Sequence, residues 1–408
     1  NFLKNSKVFN ELKLRASYGQ TGNQEGIRLY DYIQLLKFRD DGWGTKLIYP
    51  FGNGSQSQAM GLDVLAGVDR TWEILENVNV GVDAAFLDSR LGFSFDYFVK
   101  MNNNMLIPVT YPSMLGAEAP YSNSGKLRTN GFELTLNWTD KIGNVEYSAQ
   151  FQLTDAVNKL VEYGGADTYK LGLNETREGY PMNSYFAYVY DGVIKDQADL
   201  DAYKKLEGVP SNIGIGDAKF KDLNGDGKIS TYGDKDGDDG DAEYVGSTTP
   251  RYSFGLNLGA KWNNFDISVF FQGVAKRTLF REGDFAMPWS DWWRYPPQFY
   301  YGQTWNEDRP DAYYPRLTHG EIRHWNYQAS TLQKINAAYI RLKNIQIGYT
   351  LPKGALQKLG IERTRFYVSG QDLFEIHNVK GGWDPESDKA GFNYPFQRYY
   401  SFGIDLTF

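Results

Sequence analysis

Asp222, Asn224 and Asp226 stand at alternate positions, with Lys228 at the next one and Gly225 and Gly227 between them. Oxygen ligands so spaced can wrap one hard cation, and the glycines permit the sharp turn, which is the spacing of a calcium loop. The bidentate acid of such a loop would fall on Gly233, and Asp234 comes one residue late. No helix pattern leads into Asp222, so this is not a helix–loop–helix hand. Two readings stand. One is a Ca2+ site built from Asp222, Asn224, Asp226, Lys228 and Asp234. The other is an Asp/Asn/Gly turn that satisfies its own backbone.

A second constellation is aromatic. Trp289, Trp292, Trp293, Trp305 and Trp325 crowd the stretch 282–327, and Gly381-Gly382-Trp383 follows later. Flat rings suit stacking on the apolar C–H faces of sugars, and an exposed cluster of this size would otherwise be a liability. The same rings could pack a small subdomain or dock a partner, because Trp and Tyr dominate interfaces. Packing or partner contact is the stronger expectation, and direct ligand contact the weaker. Catalysis is not expected. His319, His324 and His377 have no nucleophile or metal-ligand spacing around them. The chain has no cysteine, which excludes a disulfide framework and a thiolate metal site. A net charge of −7 argues against nucleic acid as partner.

The elements that must carry these loops are written in alternation. Tyr400, Phe402, Ile404, Leu406 and Phe408 fall on one face of the last stretch, and Tyr399, Ser401, Gly403, Asp405 and Thr407 on the other. Leu12 to Tyr18, Val78 to Phe86, Leu91 to Val99, Phe132 to Trp138, Val145 to Leu153, Tyr252 to Trp262, Phe265 to Phe271, Ile345 to Leu351 and Phe366 to Val368 repeat the pattern. These strands read as roughly ten to fifteen residues, nearer the membrane-strand length of about nine to eleven than the soluble mode of about five or six. No apolar run is long enough for a spanning helix. The fold class expected is all-β: a transmembrane antiparallel β-barrel with long extracellular loops. Short links at 87–90, 140–144, 263–264 and 352–362 alternate with long ones at about 20–71, 103–125, 162–249, 280–338 and 376–397. Met182 to Ile194 reads as another strand with a partner near Asp217 to Leu223. Either both cross with the barrel, or both belong to one very long outer loop. Phe402 and the terminal Phe408 read as an assembly signal. Trp72, Trp138 and Trp262 read as interfacial anchors.

The order of several motifs resembles the SusC/RagA-type TonB-dependent transporters of Bacteroidetes outer membranes, in the C-terminal half of their barrel. They are Leu12 to Asn23 (LKLRASYGQTGN), Asn130-Gly131-Phe132-Glu133, Asp222 to Ile229, Pro250 to Gly255, Tyr339 to Asn344 with Gly348 to Pro352, Tyr367 to Phe374, and Asp384-Pro385-Glu386. The resemblance implies a 22-stranded barrel with an N-terminal plug, a segment that engages TonB, and a SusD-like lipoprotein closing the outer mouth. It implies import of glycans, or in some members peptides. No plug or TonB-contacting segment is recognisable in residues 1–408, so these are expected in a part outside this chain. Two other readings remain: a calcium-stabilised outer-surface binding protein or adhesin without transport, and a secreted glycan-degrading enzyme. The absence of a paired-acid architecture disfavours the enzyme.

Overall fold

Ten long strands pair antiparallel, in chain order, into one sheet. They are β1 (Phe9–Asn23), β2 (Glu73–Phe86), β3 (Leu91–Pro108), β4 (Tyr121–Ile142), β5 (Val145–Tyr163), β6 (Arg251–Trp262), β7 (Phe265–Lys276), β8 (Tyr339–Thr350), β9 (Arg363–His377) and β10 (Tyr399–Thr407). The computed structural model describes residue 6 and residues 8–408, apart from 28, 31, 39–47, 51, 53–55, 63, 68–69, 110–113, 115–118, 165–171, 232–239, 289–297, 353–359, 388–393 and 395. Most of the short link at 352–362 lies outside these residues.

Period-two patterning decides which face is which. Leu14, Val80, Val368, Tyr400, Phe402 and Ile404 all stand exposed on one face, with Phe402 at 89% and Phe408 at 78%. Lys13, Arg15, Asp83, Asp96, Asp266 and Arg365 occupy the other. A sheet that exposes its apolar side over its whole width is built to meet a solvent other than water. No helix among the described residues is long and apolar enough to cross a membrane.

The short connections lie at one end of the sheet. Leu87, Asp88 and Ser89 adopt φ of 55°, 57° and 63°, and Asn263 adopts 51°. Asn, Asp and Ser tolerate this left-handed region better than most residues. At the opposite end β3, β4 and β5 run to 18, 22 and 19 residues. They are longer than the alternation indicates and extend into the stretches read as the 103–125 and 162–249 loops. The ladder can outlast the pattern because a strand wet on both faces needs no apolar side.

The long connections at that end fold on themselves and one another. Ser184–Tyr188 pairs with Ala242–Ser247, and Tyr190–Val193 pairs with Ala218–Phe220. The Met182 to Ile194 stretch therefore does form strands and does find its partner near Asp217 to Leu223. Neither belongs to the ten-stranded sheet. A short helix α1 (Gln197–Tyr203) lies between them, with Asp196 as N-cap accepting from the Asp199 N–H. Ile194, Leu200, Tyr203, Ile213, Ala218, Phe220 and Ile229 form a buried core that Ile322 of the next long connection completes.

Candidate functional site

The polar face of the sheet is held by arginines that reach across intervening strands. Arg15 on β1 stands opposite Gly81 on β2, and Gly81 stands opposite Asp96 on β3. The Arg15 guanidinium donates to Asp96 at 2.7 and 2.8 Å and to Asp83 at 2.8 and 2.9 Å. A Cβ at Gly81 would collide with the Asp96 carboxylate and come within 3.0 Å of the guanidinium carbon. Glycine thus opens the passage over β2. The same device recurs near the other edge. Arg365 on β9 lies over Gly348 on β8, donating to Asp266 on β7 at 2.6 and 2.9 Å and to Asp405 on β10 at 3.1 Å. A pair of another kind joins the adjacent strands β5 and β6 at their ends nearest the long connections: Arg251 grips Asp155, which stands opposite Phe132, in a two-pronged contact of 2.5 and 2.6 Å.

Above the sheet the 162–249 and 280–338 connections form one cap, and its latch is Asp217. This carboxylate is fully buried. It accepts from Arg316 Nε and Nη2 at 2.7 Å each, from Asn326 Nδ2 at 2.9 Å and from the Gly214 N–H at 2.7 Å. The Asp217 bond raises Arg316 above the ordinary guanidinium range. Farther along, buried Arg281 donates to Gln333 Oε1 at 3.0 Å, to the Leu332 carbonyl and to the Tyr314 hydroxyl. Its guanidinium also sits 5.0 Å from the Tyr314 ring centre and 5.5 Å from that of Phe299. Burial pushes the neighbouring Tyr300 and Tyr327 phenols up, so both stay neutral donors. The 376–397 connection is tied down by Arg341, which pairs with Asp384 and, at 2.9 Å, with Glu386. None of Asp217, Arg281, Arg316 or Arg341 stood out in the sequence as a site residue. For the first three the available signal was a charge inside an apolar-rich loop; Arg341 lies on β8, within the Tyr339 to Asn344 motif.

The Asp222 loop is shaped by its own backbone. Asp222 accepts from Gly225 N–H at 2.7 Å and Gly227 N–H at 2.9 Å, Asn224 Oδ1 from Asp226 N–H at 3.2 Å, and Asp226 Oδ1 from Lys228 N–H at 2.8 Å. Gly225 and Gly227 take φ of 74° and 81°. Buried Asp241 closes the loop from beneath, accepting from Leu223 N–H at 2.7 Å and Ser230 N–H at 2.8 Å. Burial raises the Asp241 carboxyl above the usual range against these two bonds, and the Asp222 and Asp226 charges add to the rise. Among the described residues no three His, Asp or Glu side chains gather closely enough to hold a metal ion. The turn is satisfied without a cation, and a three-carboxylate site would need Asp234, which lies outside the described residues.

Trp289, Trp292 and Trp293 also lie outside the described residues. Of the other tryptophans read as ligand or lid contacts, Trp383 is 7% exposed, packed edge-on against Phe285 and Phe299 at 5.2 and 5.4 Å. Trp325 stands edge-on to Phe220 at 5.3 Å and donates Nε1 to the Ala218 carbonyl at 2.9 Å. Trp305 rests on Gly216, whose φ of 86° and missing Cβ leave room for the ring. Trp383 and Trp325 therefore serve the packing of the cap, Trp383 in a core with Leu279, Ile335, Ala337 and Val379 and Trp325 against the core of Phe220 and Ile322. Trp72 and Trp262 remain exposed, at 61% and 54%, at opposite ends of their strands.

No family model matches the chain. It is 27% identical to TonB-dependent receptor P3 of Formosa agariphila over 442 aligned residues, covering all of this chain and 40% of that protein. It is 24% identical to TonB-dependent receptor SusC of Bacteroides thetaiotaomicron, again over all of this chain and 38% of the relative. The fold matches the structure of the RagAB peptide importer in its closed-closed state with a TM-score of 0.73 and 24% identity, over all of this chain and 42% of that one. The chain thus spans about two-fifths of the length of the relatives it matches.

Proposed function

From a chain homologous over its whole length to SusC/RagA-type TonB-dependent receptors of the outer membrane, we infer a part in the import of an oligomeric nutrient. The observation that carries this reading is the two-faced sheet: long strands, an apolar side bare from β1 to β10, and an ion-paired side opposite. Among the described residues, β1 and β10 each pair on one flank only. A bilayer tolerates no open sheet edge, so these flanks call for strands from the remainder of the protein. Energy coupling to TonB and a plug belong to that remainder. The cap, with its own buried cores and rich in aromatic residues, suits a platform for a SusD-like surface lipoprotein. A glycan is the favoured cargo and a peptide the other. In this reading a Ca2+ held by Asp222, Asn224, Asp226, the Lys228 carbonyl and Asp234 stiffens the cap, supported by the alternate spacing of its ligands.

Native purification in mild detergent tests it, with intact mass and peptide mapping of whatever co-purifies. The expected result is one assembly of the full receptor and a surface lipoprotein. A species that is soluble without detergent and has no lipoprotein attached would overturn the reading.

A further inference from the structure

The water-facing wall of the sheet is not uniformly charged. In one row across the strands Asn137, Gln150, Asn257, Phe270, Asn344 and Gln371 lie side by side on β4 to β9, each paired with the next. Two residues nearer the short turns, Thr139, Ser148, Gly259, Ser268, Gln346 and Ser369 form a second row on the same strands. Neither row holds Asp, Glu, Lys or Arg, although 23% of the chain is charged. Toward the short turns charge returns at once, in Lys141, Glu146, Lys261 and Asp266. In the other direction Thr135, Gln152, Gly255 and Gln272 keep the next row uncharged on β4 to β7, and Arg341 paired with Glu375 closes it on β8 and β9. The gap is thus a belt with one sharp edge.

Phe270 interrupts the amides. On a wall facing water an aromatic ring costs exposure without a packing gain, and here Asn257 and Asn344 flank it directly. The ring lies across Gly255 on β6, where an added Cβ would stand 3.3 Å from Phe270 Cε2. Glycine lets the ring lie back against the wall instead of projecting. A concavity of about 470 Å3 runs along this place, lined by Asn137, Gln150, Asn257, Ser268, Phe270 and Asn344. Amides both donate and accept, as sugar hydroxyls do, and an aromatic ring meets the apolar C–H face of a pyranose. A charged ligand finds no counter-ion among the residues lining this concavity, the neighbouring Lys343 being paired with Asp372 and Glu386, and would lose hydration without return.

We propose that Phe270, with Asn257 and Asn344 beside it and Gln150 and Asn137 next along the row, is a contact station for a neutral saccharide on the inner wall. The station rests on the import reading above and deepens it by naming the residues that meet the cargo and restricting it to uncharged sugars. Its bonds are neutral and individually modest, which suits a wall that an oligomer must leave as readily as it enters.

Cells carrying the full-length receptor are offered mixed ladders of neutral gluco-, xylo-, manno- and galacto-oligosaccharides, a uronate ladder and a tryptic peptide digest. Depletion of each from the medium is read by mass spectrometry. Wild type is expected to deplete neutral sugars. Phe270→Ala, and separately the pair Asn257→Asp with Asn344→Asp, lower that depletion about tenfold, the effect of losing roughly 1.4 kcal/mol of contact. Phe270→Trp retains it, which separates loss of the ring from loss of fold, and heat-modifiable migration confirms assembly of every variant. Unchanged neutral-sugar depletion in both assembled variants overturns the station while leaving import intact. Depletion of peptides or uronates only also overturns it. If the variants alter protease protection of the receptor's N-terminal part but not depletion, the belt seats a lumen-filling domain and the proposal fails. No depletion of any probe by wild type refutes the import reading itself.

Discussion

Removing the Asp217 carboxylate should open the cap and leave the sheet standing. Asp217→Ala strands three donors. Asn326 is fully buried, so its side-chain amide has no water to turn to, at a cost of about 1–3 kcal/mol. The Gly214 N–H is partly buried and adds about 1 kcal/mol. Arg316 is 35% exposed, so its guanidinium can rehydrate, and its loss is on the surface-pair scale of about 0–1 kcal/mol. The sum is about 3 kcal/mol of local stability, roughly a hundredfold in the open population. Limited proteolysis of the full receptor in native outer-membrane vesicles reads this population directly when opening equilibrates faster than cleavage. Cuts are expected around residues 205–216 and 303–330, which the latch joins. Asp217→Asn keeps one acceptor oxygen and should show about a tenfold rise, whereas Arg316→Ala leaves a fully buried carboxylate without its cation and should rank beside Asp217→Ala. A change below about threefold for Asp217→Ala, or a ranking with Asp217→Asn above it, would refute the assignment of the latch to this carboxylate.

The terminal strand is tested by Phe402→Ser with Phe408→Ser: heat-modifiable receptor in the outer membrane should fall several-fold, and an undiminished yield would remove the assembly role. Asp222→Ala with Asp226→Ala should raise protease sensitivity between 205 and 245. In wild type, chelating calcium should do the same, and indifference to both the chelator and the substitutions would leave a self-satisfied turn. Burial works to raise the Asp199 carboxyl, but Lys219, donating at 2.8 Å to both oxygens, together with the Lys195 N–H holds it below the usual range. A depressed carboxyl contributes stability that is fully present above its unfolded value of about 4 and is lost as pH falls through the folded one. Proteolysis at α1 should therefore rise below about pH 4 in wild type, and Lys219→Met should flatten that profile; identical profiles would exclude the pair.

The strands were legible because two solvents meet at the sheet. An apolar medium outside and water inside force alternation on every crossing residue, and Tyr400 to Phe408 carries that signal as plainly as Leu12 to Tyr18. Where both faces are wet the signal stops, and so the outer turns of β3 to β5 were read as loop. The cap was legible only as composition. Its latch joins residues 99 apart in sequence through irregular backbone, and no period connects Asp217 to Arg316. Tryptophans were read by their capacity to stack, which is the same whether the partner is a sugar or Phe299. The choice between those fates is set by neighbours that come from a different loop.

Gly81, Gly255 and Gly348 share one logic that a strand pattern hides. Each sits on the water-facing side where a side chain would be free to project, and each leaves that space to a neighbour: the Arg15 guanidinium, the Phe270 ring and the Arg365 guanidinium. A glycine inside a strand weakens the ladder by roughly 0.5–1 kcal/mol relative to alanine, so the positions are not free choices. At Gly81 and Gly348 the gain is an ion pair spanning three strands, close to the two flanks where the sheet must hold register to receive further strands. At Gly255 no charge is gained, and the ring laid over it is left facing the lumen with amides on both sides. A wall needed only for strength would have repeated the clamp there. That the chain instead clears its charges from two rows between β4 and β9 separates the part of the wall that holds the strands from the part that meets what passes.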